Sequence, residues 1–251
     1  MDDQVGSADA SGMRVLIVGA SSGIGREVAI RLSGLGARVV GCARRVSQMA
    51  DLRGVVSLEC DVTIPAHCRQ VVASASTELG GLDALVYAAG LTRITPLDRT
   101  DPEEWHDIFA VNVVGAALVT AAALAHLTAA GSQGRALFLS SDSAELAYPG
   151  LVAYSASKAA LAHFCRGLHA EYPSLHVSEV FVGPTSGTDA ANNFDPTEFG
   201  LWASRWFDQG MIRFGLLEPS DVATIIIAAM LSEAPPARVQ ATGPSIDAPG
   251  G

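Results

Sequence analysis

The sequence predicts an α/β fold, a doubly wound parallel sheet of seven strands in a single domain, from three observations. Short apolar runs rich in β-branched residues alternate with longer helical patterns, which is typical of βαβ units on a sheet covered on both faces. The length of 251 residues suits one hydrophobic core. No internal repeat and no long Pro/Gly/Ser linker divides the chain.

The predicted strands lie near Met13–Val18, Arg38–Cys42, Val55–Glu59, Ala84–Ala88, Arg135–Leu139, His176–Val182 and Arg238–Ala241. The predicted helices lie near Ile24–Gly34, Pro65–Leu79, Pro102–Ala130, Val152–Tyr172 and Pro219–Leu231, and several begin at Asp, Thr or Ser or end at Gly. Residues 1–12 are expected to form a mobile tail before a domain of residues 13–251. Residues 185–215 interrupt the alternation.

Composition and charge exclude several classes of protein. Hydrophobic residues make up 49% and charged residues 17% of the chain, as in globular domains. Because 26 acidic residues outnumber 16 basic ones, the net charge of -10 repels a phosphate backbone and an anionic bilayer. We therefore expect neither a nucleic acid nor a membrane partner. Val113–Leu127 and Val222–Leu231 both fall short of the roughly 18 uninterrupted apolar residues that a membrane span needs.

The beginning of the chain and the cysteines indicate a cytoplasmic protein. The first residues are acidic and lack the basic and apolar regions of a signal peptide. The cysteines are scattered without a CxxC pair, which favours reduced, buried thiols; they are Cys42, Cys60, Cys68 and Cys165. His67 beside Cys68 does not have zinc-ligand spacing, so we expect no metal.

A glycine-rich turn follows the first predicted strand, in the segment MRVLIVGASSGIG that begins at Met13. Gly19 permits a tight exit from the strand, Gly23 lets backbone approach a pyrophosphate, and Gly25 allows close packing. The helix that follows directs free N–H groups and its positive dipole end at an anion. A turn without a ligand is the alternative, but its place in a βαβ unit favours a dinucleotide. The expected binding residues are Gly19, Ser21, Ser22, Gly23, Ile24 and Gly25.

The end of the second strand favours NADP over NAD. An acidic side chain there would accept hydrogen bonds from a ribose 2'-hydroxyl and repel a 2'-phosphate. This chain has Ala43, which leaves room, followed by Arg44 and Arg45, which supply planar charged donors. The alternative is that both arginines are merely solvated, and Ser22 is not the extra cation often found in the glycine turn.

Asp61 and Val62 follow the third strand and are candidates for the adenine site. Asp61 would hydrogen-bond the base and Val62 would contact its face. Because Thr63 and Pro65 follow, Asp61 is equally well explained as the cap of the next helix.

The chain's single lysine suggests an acid–base site. Among 16 cations, 15 are Arg and one is Lys158, four residues after Tyr154 in Tyr-Ser-Ala-Ser-Lys. On a helix the two side chains share a face. A phenol titrates near 10, so a positive charge that favours phenolate would let it exchange a proton at neutral pH. Tyr154 is thus a candidate acid and base, with core packing as the alternative.

These features together resemble the single-domain short-chain dehydrogenase/reductase family over nearly the whole chain. The resemblance rests on Gly19-x3-Gly23-x-Gly25, Asp61-Val62, Tyr87-Ala88-Ala89-Gly90, Asn112 in Val-Asn-Val-Val-Gly, Ser141 thirteen residues before Tyr154, Lys158, and Gly183-Pro184-Thr185. It implies a Rossmann fold and hydride transfer with a nicotinamide dinucleotide. It adds Ala88, Ala89, Gly90, Tyr154, Lys158, Gly183, Pro184 and Thr185 to the expected cofactor contacts.

The resemblance also implies a catalytic tetrad. Tyr154 would be the proton donor or acceptor at the substrate oxygen, and Ser141 would hydrogen-bond the same oxygen. Lys158 would lower the pKa of Tyr154 and hold the nicotinamide ribose, and Asn112 would anchor a water in a proton relay. The residues independently predict that Asn112 is hydrogen-bonded, because a buried amide in an Ala/Val-rich helix is costly when unpaired.

Two positions depart from the family pattern. The usual Asn-Asn-Ala-Gly is Tyr87-Ala88-Ala89-Gly90 here, which removes the side-chain amides that brace the strand ends around the nicotinamide and puts cofactor affinity in doubt. The usual Pro-Gly is Val182-Gly183 here, and Pro184 follows. Either Thr185 or Thr188 would then reach the carboxamide, and we favour Thr185.

Six of the 15 aromatic residues fall between Phe194 and Phe214. The family carries a mobile lid over the substrate here, so Phe194 and Trp202 would line an apolar pocket for a bulky ketone or alcohol. Alternatively, Phe199, Trp202 and Trp206, at helical spacing, pack the lid onto the body or a neighbouring subunit. Ser141, Asp142, Ser143, Tyr148, Tyr154 and Leu91 are the other candidate substrate contacts.

The hypothesis is an NADP-preferring oxidoreductase that interconverts a ketone and a secondary alcohol, with Tyr154 as acid and base. The altered Tyr87 and Val182 positions leave a catalytically idle dinucleotide sensor or scaffold as the alternative. A sugar-nucleotide epimerase or dehydratase would need a larger carboxyl-terminal region. The Ala-rich outer turns of Pro102–Ala130 and Val152–Tyr172 indicate a homotetramer or homodimer.

Overall fold

A computed structural model describes residues 9–129, 134–187, 194 and 196–245. Seven parallel strands form one sheet in the order β3-β2-β1-β4-β5-β6-β7. The strands are β1 Arg14–Val18, β2 Arg38–Ala43, β3 Val55–Glu59, β4 Ala84–Tyr87, β5 Arg135–Leu139, β6 His176–Val182 and β7 Arg238–Ala241. This confirms the predicted doubly wound α/β sheet, and every strand lies within one residue of its predicted bounds.

Seven α-helices lie in the described part of the chain. They are α1 Gly23–Gly34, α2 Pro65–Leu79, α3 Pro102–Phe109, α4 Gly115–Leu127, α5 Val152–Glu171, α6 Pro196–Asp208 and α7 Pro219–Leu231. The predicted helix Pro102–Ala130 is instead α3 and α4 joined by a π-helical turn, Ala110–Val114. Three parts of the predicted elements lie outside the described residues: the last residue of the predicted helix Pro102–Ala130, residues 1–8 of the predicted tail, and residues 188–193 and 195 of the predicted lid.

Helices cover both faces of the sheet. Successive side chains on a strand point to opposite sides, so each strand contributes to two cores. Ile17 and Val86 belong to the core under α1 and α7. Leu16 and Leu85, one position earlier, belong to the core under α2, α4 and α5. Since all four are fully buried, the strands are held from both sides and their carboxyl ends form a fixed edge.

The unit formed by α3, the π-helical turn and α4 is a long apolar helix. It runs 26 residues, Pro102–Leu127, and by length and composition alone it could cross a membrane. In the structure α4 packs against α2 and β4, and α3 packs against α5. A core helix of a folded domain meets the same criterion of length and hydropathy, and this packing is that of such a helix.

Candidate active site

A cavity of about 670 Å³ opens at the carboxyl ends of the strands, across the point where the strand order reverses between β1 and β4. One end lies at β2 and β3, and the other at β5 and β6. The structure brings every predicted cofactor contact to its wall: Gly19, Ser21, Ser22, Gly23, Ile24, Gly25, Ala43, Arg44, Arg45, Asp61, Val62, Ala88, Ala89, Gly90, Tyr154, Lys158, Gly183, Pro184 and Thr185.

The glycine-rich turn has the shape that a pyrophosphate needs. Gly19 has φ +91°, and a Cβ there would lie 2.6 Å from the Ala89 backbone nitrogen. A Cβ at Gly25 would collide with the Gly19 carbonyl oxygen. Helix α1 begins at Gly23 after the N-cap Ser22, whose side chain makes no capping hydrogen bond. The first N–H groups of α1 therefore need acceptors from outside the helix, and a dinucleotide phosphate fits this cradle.

The β2–β3 end of the cavity carries the two cations Arg44 and Arg45 and the carboxylate of Asp61. Asp61 accepts hydrogen bonds from the Thr63 backbone nitrogen at 2.9 Å and the Thr63 hydroxyl at 2.7 Å. Burial raises the pKa of Asp61, but these bonds and the charge of Arg44 together hold the pKa below its usual value. The N-cap of α2 is Ile64, so Asp61 stabilises the turn before the helix and is not its cap. Its ionised carboxylate still lines the cavity.

Asn112 lies in the π-helical turn and is fully buried. Its Oδ1 accepts from the Leu91 nitrogen at 2.7 Å, and its Nδ2 donates to the Leu91 oxygen and to Ser157 Oγ, both at 2.9 Å. The predicted hydrogen-bonding of this buried amide is thus what the structure shows. Asn112 ties the segment after β4 to α5, and π-helical turns are frequent at functional sites.

Tyr87, the departure from the family's asparagine, provides a different brace. Its phenol is buried and donates at 2.6 Å to the carbonyl of Val111, which lies inside the π-helical turn. A Cβ at Gly115 would lie 2.7 Å from the Tyr87 hydroxyl, so the glycine makes room for the ring. The end of β4 is therefore still tied to the helix, through a phenol where the family has an amide.

Lys158 lies under Tyr154, as its position four residues along α5 predicts. The Lys158 side chain is buried, and Nζ lies 5.6 Å from the centroid of the Tyr154 ring. Nζ donates at 2.8 Å to the carbonyl of Leu139, the last residue of β5. The ammonium is thereby fixed between the sheet and the phenol and does not point to solvent.

The pKa values of this pair differ from the expectation. Burial raises the pKa of Tyr154 to about 12; hydrogen bonding with Ser141 lowers it in part, and the charge of Asp142 raises it further. Burial lowers the pKa of Lys158 to about 8. The predicted lowering of the Tyr154 pKa by Lys158 is therefore corrected, because desolvation of the phenol is the larger effect in this structure.

Ser141 belongs to a hydrogen-bond network that the sequence did not predict. Ser141 Oγ donates to Asp142 Oδ1 at 3.1 Å and accepts from the backbone nitrogen of Ser143 at 3.2 Å and its hydroxyl at 3.0 Å. The Tyr148 hydroxyl donates to Asp142 Oδ2 at 2.8 Å. The single hydroxyl hydrogen of Ser141 therefore points to Asp142, and burial raises the pKa of that carboxyl.

Three of the predicted substrate contacts need correction. Ser143, Tyr148 and Trp202 are not on the cavity wall, whereas Ser141, Asp142, Tyr154 and Phe194 are. Ser143 and Tyr148 lie behind Ser141 and Asp142 as their hydrogen-bond donors. Trp202 packs with the Tyr148 and Leu151 cluster and faces Gly150.

Trp206 replaces Trp202 as the tryptophan of the cavity wall. The centroid of its ring lies 5.3 Å from that of the Tyr148 ring, and its Nε1 donates at 2.9 Å to the Pro149 carbonyl. These contacts hold α6 against the segment before α5. The spacing of four residues between Trp202 and Trp206 predicts that both rings lie on the same face of a helix. It could not show which of the two rings reaches the cavity.

Comparison with known proteins decides the family. A family model described as short chain dehydrogenase matches residues 13–198. The chain is a short-chain dehydrogenase. Among solved structures, a short-chain dehydrogenase from Streptomyces avermitilis aligns with a TM-score of 0.77 and 29% identity, over 91% of this chain and 88% of that one.

Two curated relatives are considerably longer than this short-chain dehydrogenase. A glycine betaine reductase of Emericella nidulans is 32% identical over 88% of this chain, which spans 18% of that protein. An 11-beta-hydroxysteroid dehydrogenase 1A of Arabidopsis thaliana is 34% identical over 68% of this chain, which spans 52% of that protein. The family consists of NAD(P)-dependent oxidoreductases that act on small molecules.

Proposed function

We propose that this short-chain dehydrogenase is NADP-preferring and interconverts a ketone and a secondary alcohol. The observation that carries the proposal is the buried Lys158 ammonium, fixed by the Leu139 carbonyl beneath the Tyr154 ring. A buried cation next to a partly buried phenol on a cavity wall is expected at an acid–base site. The two curated relatives are named for chemically different substrates, a steroid and glycine betaine, so neither name supplies the substrate.

Each residue of the tetrad has a role set by its position. Tyr154 donates a proton to the carbonyl oxygen during reduction and accepts it during oxidation, and Ser141 hydrogen-bonds the same oxygen. Lys158 places a positive charge under the phenol and would contact the nicotinamide ribose of a bound cofactor. Asn112 holds the Leu91 segment and anchors the relay water. A bound NADP(H) supplies or accepts hydride at C4 of its nicotinamide.

The cofactor would be held by the residues already brought to the cavity wall. The α1 amides would contact the pyrophosphate, and Arg44 and Arg45 would contact the 2'-phosphate. Asp61 and Val62 bracket the adenine, and Thr185 is the candidate for the carboxamide. The Thr185 hydroxyl donates to the Gly183 carbonyl at 3.0 Å, and its oxygen can still accept a hydrogen bond from the carboxamide N–H. Assembly as a homodimer or homotetramer, a cytoplasmic location and a bulky, apolar substrate remain part of the proposal.

The direct test is incubation with NADPH and a panel of ketones while absorbance of the reduced cofactor is followed. The proposed enzyme oxidises NADPH with at least one ketone. The alternative, a catalytically idle sensor or scaffold, binds NADPH and oxidises it with none. Binding is measured separately by cofactor fluorescence, so a protein that does not bind is distinguished from one that binds and does not react.

The arginines at the end of β2 give the first prediction. Replacing both, Arg44→Ala and Arg45→Ala, is expected to lower kcat/KM for NADPH about 10–100-fold, because charge-assisted hydrogen bonds to the 2'-phosphate are lost. The value for NADH, which lacks that phosphate, should change less than about threefold. The control is Arg53→Ala, an exposed arginine away from the cavity wall. Equal losses with both cofactors would show that the arginines do not select NADP.

The pH profile of reduction gives the second prediction. With a Tyr154 pKa of about 12 and a Lys158 pKa of about 8, the phenol stays protonated at neutral pH while the lysine loses its charge above about pH 8. We therefore expect kcat/KM for a ketone to be level below about pH 7 and to fall above about pH 8. In Lys158→Arg, whose guanidinium stays charged, the fall should move to higher pH at a lower absolute rate. A level wild-type profile up to about pH 10 would contradict the role of Lys158.

A further inference from the structure

Asp142 is a buried carboxylate at the substrate end of the cavity. It lines the wall with Ser141 and Tyr154, and its exposed fraction is 5%. Among the described residues of the wall, the other carboxylate is Asp61, at the opposite end. The arginines Arg44 and Arg45 also lie at that opposite end. The charge of Asp142 is therefore not explained by cofactor binding.

The carboxylate has neutral partners where a cation is expected. Its two oxygens accept from the hydroxyls of Ser141 and Tyr148, and no ion pair in the described part of the chain includes it. Arg213, whose charge acts on the Tyr148 hydroxyl, does not pair with Asp142. Burying an ionised carboxylate is costly unless it is paired, and burial does raise its pKa. A cationic group on a ligand would supply the missing partner.

The distances limit where that cationic group lies on the ligand. The reacting oxygen is held at Ser141 and Tyr154 under the proposed function, and Asp142 Oδ1 lies 3.1 Å from Ser141 Oγ. A donor that reaches Oδ1 while the carbonyl oxygen stays at Ser141 must lie close to that oxygen in the same molecule. A protonated amine on the α or β carbon meets this condition.

The contact between the ammonium and Asp142 would also leave the Ser141 hydroxyl free to hydrogen-bond the carbonyl oxygen of the substrate. The one hydroxyl hydrogen of Ser141 now points to Asp142. An ammonium on Oδ1 replaces this donor, so the hydrogen can turn to the carbonyl oxygen. Phe194, Leu151 and Trp206 are among the apolar residues of the wall, and the net charge of -10 favours the approach of cations.

We propose that Asp142 binds a protonated amine, and that the preferred substrates are ketones with an ammonium group on the α or β carbon, or the corresponding amino alcohols. This rests on the proposed oxidoreductase function. The reaction itself is unchanged: hydride from NADPH goes to the carbonyl carbon, and the Tyr154 proton goes to its oxygen. The ammonium is neither oxidised nor cleaved.

The experiment compares two ketones of nearly the same shape, 3-amino-1-phenylpropan-1-one and butyrophenone, in which a methyl group replaces the ammonium. Wild-type protein with NADPH is expected to show a kcat/KM about 10–100-fold higher for the amine. In Asp142→Asn this ratio should fall to near one. The control Asp98→Asn, an exposed carboxylate away from the cavity that changes the net charge equally, should leave the ratio unchanged.

Two outcomes overturn the inference: a wild-type ratio at or below one, and a ratio that survives in Asp142→Asn. The first needs no variant, so it stands even if Asp142→Asn fails to fold. Failure of the proposed function looks different, since then neither ketone oxidises NADPH. In that case calorimetric binding of the amine and of butyrophenone to the NADP complex still tests Asp142, with tighter binding of the amine expected in wild type and equal binding a contradiction.

Discussion

Replacing Tyr154 with phenylalanine is expected to lower kcat/KM for ketone reduction about 10²–10⁴-fold, the usual contribution of a general acid. The phenol is partly buried on the cavity wall, and its pKa of about 12 keeps it protonated at neutral pH, as a proton donor requires. Phenylalanine keeps the ring above Lys158 and removes only the hydroxyl. Because the reverse reaction uses the same oxygen, alcohol oxidation should fall by a similar factor.

The measurement is steady-state turnover of any accepted ketone, together with the Kd for NADPH from cofactor fluorescence. The Kd should change by less than about tenfold, because losing one neutral hydrogen bond costs about 0.5–1.5 kcal/mol. Tyr172→Phe, at the end of α5 and away from the cavity wall, is the control and should leave both quantities unchanged. Turnover of Tyr154→Phe near the wild-type rate would remove Tyr154 from the mechanism.

Most of the fold could be predicted because the strands are buried on both faces. The apolar run that fills Arg135–Leu139 after its first residue has no other stable location, so its bounds match the structure. The spacing of Tyr154 and Lys158 on one helix also fixed their geometry in advance. The candidate site was therefore predictable where it is built from regular elements.

The π-helical turn around Asn112 was not predictable from periodicity. An Ala/Val-rich run is apolar on every side, so an extra residue in one turn leaves no break in its pattern. A side chain that is distant in sequence stabilises the turn, because the Tyr87 hydroxyl donates a hydrogen bond to the Val111 carbonyl inside it. The sequence showed Tyr87 only as a departure from the family.

The network of Asp142 and Tyr148 lies in an irregular segment, where spacing carries little information. The two residues are six positions apart and meet because the short helical turn Asp142–Ala144 bends the chain back toward α5. Nearness in sequence to Ser141 predicts that both residues line the cavity, but only Asp142 lies on its wall. Only tertiary packing distinguishes a residue on the wall from the residue behind it.

Replacing Asn112 with leucine, which has nearly the same size, is expected to lower the free energy of unfolding by about 2–5 kcal/mol. The amide makes three hydrogen bonds, to both backbone groups of Leu91 and to Ser157 Oγ. Leucine leaves the Leu91 N–H and C=O without these partners, and each buried group left unpaired costs about 1–3 kcal/mol. The Leu91 segment lines the cavity, so turnover should fall as well.

Urea unfolding of the two proteins measures this difference, and Thr120→Val is the matched control. Thr120 is also buried, on α4, but its hydroxyl donates only to the Ala116 carbonyl of its own helix. That carbonyl keeps its helical partner when the hydroxyl is lost, so Thr120→Val should cost less than about 1 kcal/mol. If Asn112→Leu costs no more than Thr120→Val, then Asn112 does not hold the Leu91 segment, and its burial in the π-helical turn needs another cause.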